Sequence, residues 1–324
     1  MKKFLLYPLV LCVWFPKFAK SQPCADYQQI ESSFIELGKR YPGQVSMMTG
    51  RSALGNQIYF MTIQSSEKFS GERPVVYLSG ATHGDEYMNI VDRLPHFWLS
   101  GDHQTGFQTF VGNGGIVLLA PIVNPDGFCW WSESNDDFSE GGGRYNGNHV
   151  DLNRDFPLVK SSFKGQTQPE TKFILSSLKN QLRNLDGRLV LTWDYHCCLE
   201  PGRLLYPWGF RKADGSRPRV TLSKKHLRAH LQVAGIVKNV FDYASGTPWE
   251  EEFAPGMPLG GVHGASDDYF YETYFLRSSN IGRAFTFEGQ KNEPKRFLDH
   301  IKMWDQIFKL IIQEQQMGPK ITPF

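Results

Sequence analysis

The chain has 324 residues, 40% of them hydrophobic and 21% charged, with a formal net charge of +2. Such a length can bury a core that depends on neither disulfides nor a metal for stability. The near balance of charge, with no run of Lys or Arg, argues against nucleic acid as a partner.

In chain order, Met1-Lys2-Lys3 precedes a largely apolar run, Phe4 to Phe15, and then Ala19-Lys20-Ser21. A short basic start, an apolar stretch and a small-x-small pattern read as an export signal cleaved near Ser21. Residues 1–21 are therefore set apart from one domain over 22–324, and the mature protein is expected to be secreted or periplasmic. The apolar run is too short to span a bilayer. Without Lys2, Lys3, Lys17 and Lys20 the mature chain carries 31 basic and 33 acidic side chains, a charge of −2. Export permits disulfides. Cys24, Cys129, Cys197 and Cys198 allow three pairings, among which sequence does not choose, and buried free thiols are the alternative.

Ala25 to Arg40 has apolar residues near helical spacing and ends at Pro42-Gly43, which predicts a helix. Val45 to Met48 and Gln57 to Ile63 alternate as strands around a turn. Pro74 to Ser79, Gly115 to Val123, Arg188 to Asp194 and Arg283 to Phe287 are short apolar runs, suited to strands covered on both faces. Helical patterns over Glu86 to Leu99, Glu170 to Leu185 and Lys224 to Val240 lie between them, and Pro294 to Gln316 closes the chain as an amphipathic helix. The alternation predicts an α/β fold with a mixed, mostly parallel sheet flanked by helices. Ser132 to Gly147 reads as a polar, Gly-rich loop. No Gly-Lys-Ser/Thr follows it, so it is not a phosphate loop.

Chemistry gathers where the expected strands stop. His83 and Glu86 follow Pro74 to Ser79, and His196 follows Arg188 to Asp194. Ligand sites in open α/β sheets lie beyond the carboxyl ends of strands. Alone, a His-x-x-Glu pair is more often a solvated turn, and a single His more often a core residue. Together, two imidazoles and one carboxylate make a catalytic zinc set with a position left open. Glu288 ends the last apolar run, where a carboxylate beside a metal can act as a base. Its bland reading is a salt-bridged or capping glutamate. In Asp151-Leu-Asn-Arg154, Arg154 offers a planar fork for a carboxylate, Asn153 an amide donor, and Asp151 a group able to orient a ligand histidine.

These segments resemble the zinc carboxypeptidases of the carboxypeptidase A type. The resemblance rests on His83-Gly-Asp-Glu86, Asn124-Pro-Asp-Gly127, Asp151-Leu-Asn-Arg-Asp-Phe-Pro157, Tyr195-His196, Leu204-Leu-Tyr-Pro-Trp-Gly209, Ser266-Asp-Asp-Tyr269 and Phe285-Thr-Phe-Glu288, in that order. It implies a sheet of about eight strands and one zinc ion per chain, held by His83, Glu86 and His196. It makes Glu288 the general base, places the substrate's terminal carboxylate on Asn153 and Arg154, and calls for an arginine at the scissile carbonyl. Arg144 is the candidate, as the only arginine between Gly127 and Asp151, with a solvated loop residue as the alternative. The implied partner is a peptide with a free C-terminal carboxylate, bound by a monomer.

The same resemblance places Asp267 at the base of the specificity pocket, which implies basic terminal side chains. Pairing with Arg277 or Arg283, or capping of a helix, is the competing role for that aspartate. Two departures from the family pattern stand out. Asp85 occupies a position where some members carry arginine, and the stretch Met257 to His263 lacks the family's mobile-loop tyrosine. The resemblance also implies a non-proline cis peptide just after His196. A related amidase acting on murein stem peptides or N-acyl amino acids is the alternative function. A non-catalytic binding module is disfavoured by the full zinc set and Glu288.

Overall fold

The computed structural model describes residues 23–101, 105–134, 142–157, 165–199, 202–207, 222–245, 265–278, 280–290 and 293–317. The export signal and the stretch Met257 to His263 lie outside these residues, as does part of the loop Ser132 to Gly147.

Helix α1 (Ala25–Arg40) leads into the hairpin β1 (Val45–Arg51) and β2 (Gln57–Ile63), then β3 (Arg73–Gly80). A short 3-10 turn, Gly84–Glu86, precedes α2 (Leu94–Leu99), α3 (Gly106–Gly112), β4 (Ile116–Ala120) and α4 (Pro125–Ser134). Helix α5 (Pro169–Asn184), β5 (Gly187–Cys197), β6 (Arg203–Leu205) and α6 (Lys224–Ser245) follow. The chain continues through α7 (Ser266–Phe270), extended by a π turn, to β7 (Arg283–Gly289) and α8 (Phe297–Met317).

The strands form one sheet in the order β1-β2-β4-β3-β5-β7-β6. The central four, β4-β3-β5-β7, are parallel, while β1, β2 and β6 pair antiparallel at the edges. Seven strands appear among the described residues, against about eight expected.

Both faces of the sheet are buried, which is why its central strands are almost continuously apolar. In β2, Tyr59, Met61 and Ile63 join one core cluster, while Ile58 and Phe60 join the other. The first cluster packs against α1, α3, α6 and α8. Helix α8 contributes Met303, Trp304, Ile307, Phe308 and Ile311, one face at helical spacing. The second packs against α5 through Ile174, Leu175 and Leu178. Fully burying a large apolar side chain contributes about 1.5–3 kcal/mol, so these two layers hold the sheet rigid.

Two expectations need correction. Glu86 to Leu99 is not one helix. Asn89 has φ +51°, which a helix excludes, and Pro95 is tolerated only because it lies in the first turn of α2. The segment between Ser132 and Ser134 is the end of α4, not loop. Helices α3 and α4 carry no matching expectation, although α3 opens with a capping box, Thr105 with Gln108.

Candidate active site

In a parallel sheet the carboxyl ends of neighbouring strands meet at one edge. Ser79 of β3 is in register with Asp194 of β5, and His196 of β5 with Glu288 of β7. His83 and Glu86 follow β3 directly. Strand pairing alone therefore gathers four of the expected residues.

His83 Nδ1 lies 2.8 Å from Glu86 Oε1, and His196 Nδ1 lies 2.7 Å from Glu86 Oε2. One donor atom from each residue falls within 4.8 Å of the other two. Each ring is held from behind by an acid: His83 Nε2 is 3.0 Å from Asp151 Oδ1, and His196 Nε2 is 3.0 Å from Asp194 Oδ2. That backing fixes which nitrogen faces Glu86 and is the usual support of a metal-binding imidazole. Two nitrogens, one carboxylate and a carboxylate behind each ring fit zinc. Burial tends to raise the pKa of Glu86, but the two histidines outweigh it and hold the carboxyl well below its usual range.

Local geometry explains the Gly84 between the two donors. A Cβ there would collide with the backbone of Gly127 and Phe128 at the start of α4. The Asn124-Pro-Asp-Gly127 motif builds that start. Asn124 Oδ1 accepts the Gly127 N–H at 2.9 Å, and its Nδ2 donates to the Tyr145 carbonyl at 3.1 Å. This tether carries the next segment past the site, where Tyr145 bridges to Asp151.

Arg144 comes with it. Its Nε and Nη2 donate to Asp151 Oδ2 at 3.0 and 2.7 Å, and Nη1 is 3.6 Å from Glu86 Oε1. Asp151 thus joins His83, Arg144 and the backbone N–H of Asn153, at 2.9 Å. Burial opposes the charge on Asp151, but His83 and Arg144 keep its carboxyl well below the ordinary range. Asn153 is buried and its Oδ1 accepts the Ser266 N–H at 2.9 Å, while the half-buried Arg154 donates Nη1 to the Asn153 carbonyl at 2.8 Å.

Glu288 is half-buried beside the donor set. Desolvation, opposed by the His196 charge and reinforced by Glu86, pushes its carboxyl up to about 7. Asp267 lies in the first turn of α7, within the electrostatic reach of Asp194 and His196. Desolvation pushes it up to about 6, against backbone N–H groups of Asp268 and Asp267 itself. Arg283 is not its partner: that side chain is buried on the Ala229 carbonyl and Glu314. Arg277 is exposed.

Asp194 and the hydroxyls around it carry no expectation from sequence. The available signal was a lone carboxylate in an apolar strand, two residues before a candidate ligand and so on the same face. Cys24 is bridged to Cys129, and Cys197 to Cys198 across a cis peptide bond.

The zinc carboxypeptidase family model matches residues 30–310. The chain belongs to the zinc carboxypeptidase family. Carboxypeptidase D of Drosophila melanogaster is 29% identical over 171 residues, which is 49% of this chain and 12% of that protein. Carboxypeptidase M of Mus musculus is 26% identical over 150 residues, 43% of this chain and 32% of the relative. The matches thus span at most about a third of these relatives. Among solved structures, carboxypeptidase A from Helicoverpa armigera aligns at TM-score 0.59 and 20% identity, over 87% of this chain and 71% of that one. A putative carboxypeptidase A from Shewanella denitrificans aligns at TM-score 0.61 and 16% identity, over 89% and 69%. At such identities the structural likeness shows the fold alone: a mixed sheet flanked by helices.

Proposed function

We propose that this chain is a zinc-dependent carboxypeptidase that hydrolyses the last peptide bond of a peptide, works as a monomer with one zinc ion, and favours a basic terminal residue. The observation that carries the reading is the donor set His83, Glu86 and His196 with Glu288 in register beside it. Zinc held there would supply Lewis acidity toward a carbonyl and a water.

The protein's own groups do the rest. Glu288 takes a proton from the attacking water and passes it to the leaving amine, and a carboxyl raised toward neutrality suits both transfers. Arg144 lends positive charge to the developing oxyanion. Asn153 and Arg154 hold the terminal carboxylate, so that only the last peptide bond reaches Glu288. Asp267, desolvated and without Arg283 as a partner, receives the substrate's ammonium or guanidinium. The Cys24–Cys129 bridge supports export, because such bridges persist in oxidising compartments. No helix among the described residues is long and apolar enough to cross a membrane.

Purified protein, assayed for zinc, is offered one peptide scaffold ending in Lys, Arg, Leu or Phe, as free acid and as amide. Zinc near one equivalent and cleavage of the acids alone, fastest for Lys and Arg, is the expected result. Equal rates on acid and amide would overturn the exopeptidase reading. An amine-bearing diaminopimelate side chain also suits an acidic pocket floor, so a murein stem peptide is included. Turnover confined to it would establish the amidase instead.

A further inference from the structure

Asp194 is the one buried carboxylate of β5, and four groups converge on it. Its Oδ1 accepts the Ser79 hydroxyl at 2.9 Å and the Thr82 hydroxyl at 3.0 Å. Its Oδ2 accepts the Ser266 hydroxyl at 2.8 Å and faces His196 Nε2 at 3.0 Å. The hydroxyls come from β3, from the turn that leads to His83, and from α7. A buried carboxylate is costly unless its lone pairs are filled, and here three separate segments are committed to filling them. Asp194 is therefore no second specificity acid, because both its oxygens are already engaged.

What this arrangement fixes is a ring. With Nε2–H donated to Asp194, the His196 imidazole can turn neither its tautomer nor its plane, and Nδ1 stays on Glu86. Ser266 carries the linkage further, since its hydroxyl donates to Asp194 while its backbone N–H donates to Asn153 Oδ1 at 2.9 Å. One residue thus spans the metal ligand's support and the residue assigned to the substrate carboxylate.

We propose that Asp194 is a positioning residue that locks His196 for metal binding, and that Ser266 couples this lock to Asn153. The proposal rests on the zinc reading above. It accounts for the placement of Thr82 and Ser266, neither of which the reaction itself uses.

The test is Asp194→Asn in the full mature chain. Its amide retains the shape but cannot accept all four donors. Zinc affinity and release are measured by competition with a chelator, and folding by near-UV circular dichroism. Zinc should bind 10- to 100-fold more weakly in a folded protein. The His196 ring N–H resonance of the zinc-loaded protein should move upfield while that of His83 stays in place, a signature that general loosening would not give. Zinc affinity and ring resonance equal to the parent's would overturn the proposal. If Asp194→Asn does not fold, Thr82→Val decides: it removes one donor and keeps the carboxylate, and unchanged zinc release there overturns the lock. Ser266→Ala should raise KM for a free-acid peptide with a smaller change in zinc affinity than Asp194→Asn, and an unchanged KM overturns the coupling. A parent protein that binds no zinc at all refutes the functional reading itself, a separate outcome.

Discussion

His196 and Glu288 are register partners in adjacent parallel strands, so the ring assigned to the metal and the carboxylate assigned as base ride on one rigid piece of sheet. Glu288→Gln should therefore leave the backbone and the zinc content unchanged. Gln cannot accept the proton, and turnover should fall on the order of 100-fold or more. The check is zinc stoichiometry beside kcat on one peptide. Turnover within a few-fold of the parent would remove Glu288 from the role.

Asp267→Ala addresses specificity. If its carboxylate meets the substrate's cation, kcat/KM for terminal Lys and Arg should drop while that for Leu holds or rises. Loss of a charge-assisted contact corresponds to about 1.5–3 kcal/mol, roughly 10- to 100-fold. A basic preference that survives the substitution would assign it to another acid.

The Cys24–Cys129 bridge closes a loop across 105 residues and ties α1 to α4. A bridge across about 100 residues stabilises by at most about 5 kcal/mol in the chain-entropy account, and removal of a native one typically costs about 2–5 kcal/mol in small domains. Replacing both cysteines by serine should lower the urea midpoint by a corresponding amount. A midpoint equal to the parent's would mean that the bridge adds nothing.

His230 sets an acid limit on stability. Its ring is enclosed, with Nδ1 on the His226 carbonyl at 2.7 Å and Nε2 facing the Ala284 N–H at 3.2 Å, a pattern that only the neutral ring satisfies. Burial, with a further push from Arg283, lowers it to about 3. Above pH ~6.5 neither the folded nor the unfolded state holds this proton. Between about 6.5 and 3 the unfolded chain gains it and the folded chain does not, so stability falls as pH falls, by about 1.4 kcal/mol per pH unit. Urea midpoints of the parent and His230→Gln between pH 4 and 7 provide the comparison. The gap between the two should shrink as the solution is acidified, and parallel curves would contradict it.

Much of this was legible in sequence, for identifiable reasons. Gln57 to Ile63 announces a strand by its alternation beside a turn, and Arg283 to Phe287 by a short apolar run that suits a strand covered on both faces. His83 and Glu86 stand out because they lie just past a strand end. Asp151 stood out as a group able to orient a ligand histidine, and it braces His83. Asn124 was visible as part of a motif, but its work, tethering the Arg144 segment, depends on backbone partners that no spacing reveals. Asp194 was hidden within a strand, since nothing local announces that hydroxyls from Ser79, Thr82 and Ser266 will converge on it. The helix expected over Glu86 to Leu99 failed because the site's geometry overrode the apolar pattern: Gly84 must lie against α4, and Asn89 turns the chain away. The cysteine pairs were not legible either, as only the packing of α1 on α4 brings Cys24 to Cys129.

The pairing of β3 with β5 has a consequence for how the protein is made. His196 and Glu86 are 110 residues apart in the chain and meet only when those two strands lie side by side. Long-range parallel pairing is slow, because loop entropy is lost before any contact repays it. The donor set therefore cannot close on zinc until the central sheet has assembled. Metal uptake becomes a clock for maturation: the moment at which a newly made chain first retains zinc against a chelator would mark the docking of β5.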